Sequence, residues 1–236
     1  MKVELIDKMG SDLSVVNAAR VSFDKKSDWV YETRRSIDLE TCQSTFTKVP
    51  IGLTPGDERL IKFLAEHNHW TPFGHTALSF HIKAPIFVAR QLVKHTVGLV
   101  WNEVSRRYVD STPEFYFPDK WRKRNEDKKQ GSHEDQFVEE NEFNEASWPE
   151  LLCNDALNLY NSMLKAGVCA EQARMILPQN TMTEWYWSGS MIAFARVCNL
   201  RCKQDTQLET RLVANQIDKL AQEIFPVSWK FLRKSC

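Results

Sequence analysis

The sequence predicts an α+β fold, and three observations predict it. Runs of strand formers are separated by helices of several lengths, the connections follow no βαβ rhythm, and there is no internal repeat or low-complexity tract. At 236 residues the chain reads as one sizeable domain, 1–236, against the usual ~100–200 residues per domain. Insertions are expected at about 24–56 and 119–147.

Val3-Glu4-Leu5-Ile6 reads as a short strand, and Asp12 is placed to cap a helix running through Leu13, Val15, Val16, Ala19 and Arg20. Residues 24–56 lose periodicity and collect Lys, Ser, Thr, Pro and Gly, the pattern of a long loop. Asp57 opens a helix with Leu60, Ile61, Phe63 and Leu64 on one side. The alternation from Thr76 to Lys83 predicts a strand with Leu78, Phe80 and Ile82 inward, and Pro85 stands where the next helix begins. Residues 119–147 are dense in charge, basic up to Lys129 and acidic from Glu134, which suits a solvated excursion. After Pro149, Leu152, Ala156, Leu159, Tyr160, Met163 and Leu164 follow helical spacing until Gly167. A shorter helix is expected from Ala170 to Ile176. Thr183 to Trp187 is rich in strand formers, Met191 to Leu200 reads as helix, and Thr206-Gln207-Leu208-Glu209 has the form of a capping box for a last long helix.

Hydrophobic residues make up 42% and charged residues 26%, which excludes a disordered or collagen-like chain. Lys+Arg and Asp+Glu number 31 each. A balanced sum argues against a binder of nucleic-acid polymers, while a local cationic pocket would not show in it. No apolar run approaches the ~20 residues that span a bilayer, and the polar N-terminus does not resemble a signal peptide, so a cytoplasmic location away from membranes is expected. The six cysteines contain no CxxC pair, and no metal site is expected. Cys198 and Cys202 share a helical spacing and read as small packing residues, and Cys42 and Cys236 as loosely packed thiols.

The densest polar constellation is Arg90-Gln91-Leu92-Val93-Lys94-His95, followed by Asn102-Glu103-Val104-Ser105-Arg106-Arg107-Tyr108. Arg90 and Lys94 are spaced to share a helix face. Asn102, Glu103, Ser105 and Arg107 alternate as a strand would present them. Such convergence suits a planar ligand bearing a phosphate, and it equally suits a surface helix followed by a salt-bridged loop.

Asn102 to Tyr108 resembles the second half of the signature RHRxxSxNExSxRY of the flavin-dependent thymidylate synthases, matching it at every specified position. Further similar blocks are Ala18 to Phe23, His69 to His75, Phe80 to Gln91, Ala173 to Pro178 and Asn199-Leu200-Arg201. The resemblance implies a single domain with an antiparallel sheet flanked by helices. It implies reductive methylation of dUMP to dTMP, with 5,10-methylenetetrahydrofolate as carbon donor, FAD as cofactor and NADPH as reductant. It also implies a homotetramer with shared active sites. The residues implied for dUMP are Gln91, Lys94, Glu103, Val104, Ser105, Arg106, Arg107, Arg174 and Arg201. Arg201 is the catalytic group, placed to stabilise charge developing on the uracil. Those implied for FAD are Ser22, His69, Thr71, Lys94, His95, Thr96, Asn102, Glu103, Ser190 and Arg196. His75 and His81 read as structural, and Trp185, Tyr186 and Trp187 as core.

The departures gather on the implied flavin side. Lys94-His95-Thr96 stands where the family has RHR, and six residues separate His95 from Asn102 where the signature has five. Gly74 replaces a common glutamate, and Ile192 and Arg196 replace the usual flavin-contacting side chains. Alternatives are therefore a related pyrimidine nucleotide hydroxymethylase or methylase, and a nucleotide-binding protein that has lost flavin chemistry.

Overall fold

The computed structural model describes residues 1–37, 43–109, 111–126, 132–139 and 148–234. It has the predicted α+β class. Strands β1 (Lys2–Met9), β4 (Ala77–Pro85), β8 (Met182–Ser190) and β5 (Leu99–Glu103) form one sheet in the order β1-β4-β8-β5, and every pair is antiparallel. Period-two alternation puts Leu78, Phe80 and Ile82 of β4 beside Trp185 and Trp187 of β8, all buried on one face. Helices α1 (Asp12–Arg20), α2 (Pro55–Glu66), α4 (Ile86–Leu92), α7 (Met191–Arg201), α8 (Leu208–Ile224) and α9 (Pro226–Leu232) contribute to the same core. Phe80 meets Phe194 edge to face at 5.0 Å, and Trp101 stacks on Trp185 at 4.4 Å. Each such side chain taken from water contributes about 1.5–3 kcal/mol. The opposite face is polar: Ser79 bonds Ser188 at 2.6 Å, and His81 lies between Glu4 and Glu184, the structural role expected of it. Trp185 and Trp187 are core as expected, whereas Tyr186 is half exposed.

Several expectations are corrected. The stretch 24–56 contains a hairpin, β2 (Val30–Ile37) with β3 (Ser44–Gly52), rather than only a loop. Both of its faces meet solvent, so its sequence carries no apolar alternation. The stretch 119–147 holds a second hairpin, β6 (Arg122–Arg124) with β7 (Ser132–Phe137), and it is anchored by an ion pair from Arg122 to the buried Glu209. The remainder of both stretches includes residues outside those described, Cys42 among them, and Cys236 also lies outside.

Asp12 does not cap its own helix, where Ser11 holds the cap position. Its carboxylate is buried and accepts from the backbone N–H groups of Val227 and Ser228 at 3.0 and 2.8 Å, capping α9, which opens on Pro226. The 206–209 capping box does not form: Thr206 donates to the Leu200 carbonyl, and Glu209 is spent on Arg122. Helix α4 ends at Leu92, so Lys94 lies beyond the face carrying Arg90. Strand β5 ends at Glu103, and Ser105 and Arg107 occupy the turn after it. Along α5 (Pro149–Lys165), Cys153 and Tyr160 are buried, but Leu152 and Leu159 remain 67% and 52% exposed, so two of the six residues of the expected apolar face are uncovered in one chain. The short helix expected after it is present as α6 (Ala170–Ala173), continued by a 3-10 turn to Ile176. Cys198 packs in the core as expected, and burial pushes its thiol up.

Candidate active site

The polar blocks fall at the C-terminal ends of short elements, where side chains can leave the core. Gln91 sits in the last turn of α4 and Arg201 in the last turn of α7. Together with Arg122, Ser132, Asp205, Thr206 and Gln207 they line a cleft of about 600 Å3. Arg201 Nε donates to His95 Nε2 at 3.0 Å. Accepting that bond leaves the imidazole neutral with its proton on Nδ1. Burial and then the Arg201 charge hold the His95 pKa below its ordinary value.

The Gln91 amide is oriented from two sides. Thr210, buried in the first turn of α8, donates from Oγ1 to Gln91 Oε1 at 3.0 Å, and Gln91 Nε2 donates to Gln207 Oε1. Arg122 donates from Nη2 to both oxygens of Glu209, at 2.9 and 3.1 Å, and from Nε to Ser132 Oγ at 2.7 Å. None of these supporting partners is legible in the sequence. They lie far from Gln91 along the chain, and no local pattern joins them.

A second cleft, of about 390 Å3, lies where β5 runs out against β8. Glu103, Val104, Arg106 and Arg174 line it with Lys83 and Glu184. Glu103 accepts from Thr183 Oγ1 at 2.8 Å and from Trp101 Nε1 at 3.1 Å, which fixes its carboxylate. Arg106 donates to the Ser111 carbonyl at 2.7 Å, and Arg174 Nε to that of Glu171 at 3.3 Å. Ser105 Oγ accepts from Arg107 Nε at 3.1 Å, and that guanidinium lies over the Tyr108 ring at 5.0 Å. Arg107 is exposed and is not part of the cleft lining.

Most of the expected flavin residues are at the surface. Ser22 follows α1 in a single 3-10 turn, and His69 and Thr71 flank Trp70 at the start of the short helix α3 (Thr71–Gly74). Trp70 and Arg196 share a third cleft, of about 410 Å3, with Asn199 and Lys203. Lys94, Thr96 and Asn102 are exposed along the loop and edge strand β5. Ser190 precedes α7, and its N–H donates to the Gly98 carbonyl at 3.1 Å. Gly98 has φ +75°, and it crosses so close to Gly189 that a Cβ there would meet the Gly98 oxygen at 2.2 Å. One chain thus brings together Gln91, His95 and Arg201, separately gathers Glu103, Val104, Arg106 and Arg174, and keeps Arg196 on a third surface.

Among the described residues there is no group of three or more His, Cys, Asp or Glu that could hold a metal, and no helix is long and apolar enough to cross a membrane.

The chain matches the family described as thymidylate synthase complementing protein over residues 4–227. It is 35% identical over 232 residues to the flavin-dependent thymidylate synthase of Thermosipho melanesiensis, covering 97% of this chain and 88% of that protein. It is 34% identical over 227 residues to the enzyme of that name from Thermus thermophilus, covering 96% and 73%. Among solved structures it is similar to the UMP/dUMP methylase PolB of Streptomyces cacaoi bound with 5-Br dUMP, with a TM-score of 0.77 and 26% identity, covering 98% of this chain and 93% of that one. With a family match along nearly its whole length and relatives above 30% identity, the chain belongs to the flavin-dependent thymidylate synthases.

Proposed function

We propose that the protein reductively methylates dUMP to dTMP, with 5,10-methylenetetrahydrofolate as carbon donor and NADPH as the source of reducing equivalents for FAD. The observation that carries this reading is the pairing of Gln91 and Arg201 in one polar cleft, with a neutral His95 behind the guanidinium. A pyrimidine C5 reacts with an electrophile only when charge is pushed into the ring. Arg201 stabilises that charge as it develops at the ring carbonyls. Arg106, Arg107 and Arg174, with Ser105, hold the phosphate, to which guanidinium forks are suited. Lys94 adds a point charge. Glu103, fixed by Thr183 and Trp101, accepts from a sugar hydroxyl. Ser105 is a binding group: its Oγ accepts from Arg107, and among the described residues no base is bonded to it. Among the described residues no cysteine lines either nucleotide cleft.

The residues present suit a flavin dinucleotide. Ser22, His69, Thr71, Lys94, Thr96, Asn102 and Arg196 are exposed and offer hydroxyl, amide and cationic donors to a pyrophosphate and a polar ring edge. His95 accepts from Arg201 of the nucleotide cleft, and the Ser190 N–H donates to the Gly98 carbonyl. Bound there, the flavin supplies the redox chemistry of the transfer.

The active unit is a homotetramer in which chains complete one another's sites. The separation of the two nucleotide clefts in one chain supports this, as do the exposed Val97, Val100 and Met175 (74%, 69% and 78%). A monomeric mass by light scattering, with flavin bound and turning over, would contradict it.

A second reading, methylation of UMP as well as dUMP, is favoured by the likeness to a UMP/dUMP methylase. Incubation with dUMP or UMP, methylenetetrahydrofolate, FAD and NADPH, followed by the product's mass, decides among dTMP, a methylated ribonucleotide and hydroxymethyl-dUMP. Absence of any modified nucleotide would reject the proposal.

A further inference from the structure

We infer that Arg122, on strand β6 of the second hairpin, is a positioning residue that sets the Gln91 amide to read the pyrimidine base. This rests on the proposed assignment of the Gln91 and Arg201 cleft to the base.

Gln91 has two amide hydrogens and two carbonyl lone pairs. One hydrogen goes to Gln207 and one lone pair to Thr210. What remains is one donor and one acceptor with fixed directions, the complement of the adjacent carbonyl and N–H of a pyrimidine's imide edge. Both partners stand at the start of α8, in the same turn as Glu209, which is 5% exposed. Arg122 grips both oxygens of Glu209 and is itself held by Ser132. The clamp therefore has two effects on the cleft. It fixes the turn that orients Gln91, and it neutralises a carboxylate that would otherwise repel an anionic nucleotide. Arg122 does not touch the reacting atoms.

The test compares wild type, Arg122→Met, Arg122→Lys, Gln91→Ala and the double variant Arg122→Met/Glu209→Gln. The ligands are dUMP and deoxyribose 5-phosphate, which has no base. Arg122→Met should raise KM for dUMP about tenfold, the size of one well-placed hydrogen bond. The change in kcat should stay within about twofold, since the lost contact is made equally in ground and transition states. Affinity for deoxyribose 5-phosphate should hold or fall far less than that for dUMP. Arg122→Lys should lie between. The double variant, with no stranded carboxylate but still no grip on the turn, should keep the raised KM for dUMP while deoxyribose 5-phosphate binds as to wild type, and it decides the matter if Arg122→Met does not fold. Equal losses for dUMP and the sugar phosphate, or an unchanged dUMP KM in folded Arg122 variants, would overturn the inference. If wild type binds no dUMP, or Gln91→Ala binds it as wild type does, the assignment of the cleft fails and the role of Arg122 with it. If Gln91→Ala weakens dUMP binding while the Arg122 variants do not, only the role of Arg122 fails.

Discussion

Arg201 and His95 form one unit: the guanidinium Nε donates to the imidazole Nε2 across 3.0 Å, joining the end of α7 to the loop after α4. A second proton on the ring would put two cations face to face, so the pair is stable only with His95 neutral. Burial and the Arg201 charge act in the same direction. His95 should therefore titrate below the ordinary value of about 6.5. Arg201→Ala should move its pKa part of the way back up, since burial remains. The sign of the linkage follows. The stabilisation from a depressed histidine is present above its unfolded pKa and is lost as pH falls through the folded pKa. Ring-proton NMR of the two proteins checks this, and an unshifted His95 in the variant would reject the coupling.

Arg201→Ala should also remove methyl transfer while leaving flavin bound. A guanidinium aimed at the forming anion lowers the barrier only as the ring gains charge. Such a donor is worth roughly 3 kcal/mol, about a hundredfold or more in rate. Single-turnover rates at saturating dUMP, with the flavin absorption band read in parallel, provide the measurement. Most of the activity surviving would remove Arg201 from its role.

Asp57 is a buried carboxylate that ties α1 and the segment after it to the start of α2. It accepts from Arg20 at 3.0 and 2.6 Å and from Ser27 and Thr54 at 2.8 and 2.7 Å. Burial alone would raise its pKa, but the bonds from Thr54, Arg20 and Ser27 and the Arg20 charge outweigh it, and the net direction is down. Its stabilisation is therefore full above the unfolded carboxylate pKa and is lost as pH falls through the lower folded value. Asp57→Asn should cost about 2 kcal/mol at neutral pH, less than a fully buried pair because Arg20 can rehydrate. It should also flatten the acid limb of Tm against pH. Parallel acid limbs in the two proteins would show that Asp57 is not the group responsible.

Gly189→Ala should destabilise the β5–β8 junction. The added Cβ would lie 2.2 Å from the Gly98 oxygen and 2.7 Å from Leu99 Cδ2, and the nearer atom is backbone that cannot swing away. Overpacking of this kind costs about 1–3 kcal/mol. Denaturant unfolding measures it, and a variant as stable as the parent would mean the crossing is looser than described.

The parts of the fold that are legible in the sequence are those with one wet face and one dry face. Strand β4 is the clearest, because Leu78, Phe80 and Ile82 alternate with Ser79, His81 and Lys83. The hairpin of β2 and β3 is not legible, because neither face is buried and its residues carry no period. Asp12 looks like a local cap because its cap partners, Val227 and Ser228, lie at the other end of the chain. In the site, Asn102 to Tyr108 stands out through its resemblance to the family signature, since its spacing alone suits a salt-bridged loop equally well. The Arg122–Glu209 clamp cannot, since both residues look like members of ordinary charged stretches until folding buries one against the other. The division of the polar residues among separate clefts is likewise invisible, because order along the chain does not report which side of β8 a residue reaches.

The loop from Lys94 to Gly98 should bind FAD more weakly than the family's pattern would, without disturbing dUMP. An arginine offers a planar fork to a phosphate, a lysine a point charge and a threonine no charge. Two charge-assisted contacts thus become one, and each is worth about 1.5–3 kcal/mol. Lys94 and Thr96 are exposed and can face a ligand. Arg196 lines another cleft with Trp70, apart from the cleft that holds Gln91 and Arg201. Gly98, whose left-handed φ lets the loop turn into β5, can absorb the extra residue before Asn102. Calorimetric titration of FAD into the deflavinated protein and into a Lys94→Arg, Thr96→Arg double variant tests this. Tighter FAD binding in the variant, at equal dUMP affinity, is the expected outcome. Equal or weaker binding would mean that the loop holds the cofactor through backbone amides around Gly98 and that the charge count is the wrong measure of its grip.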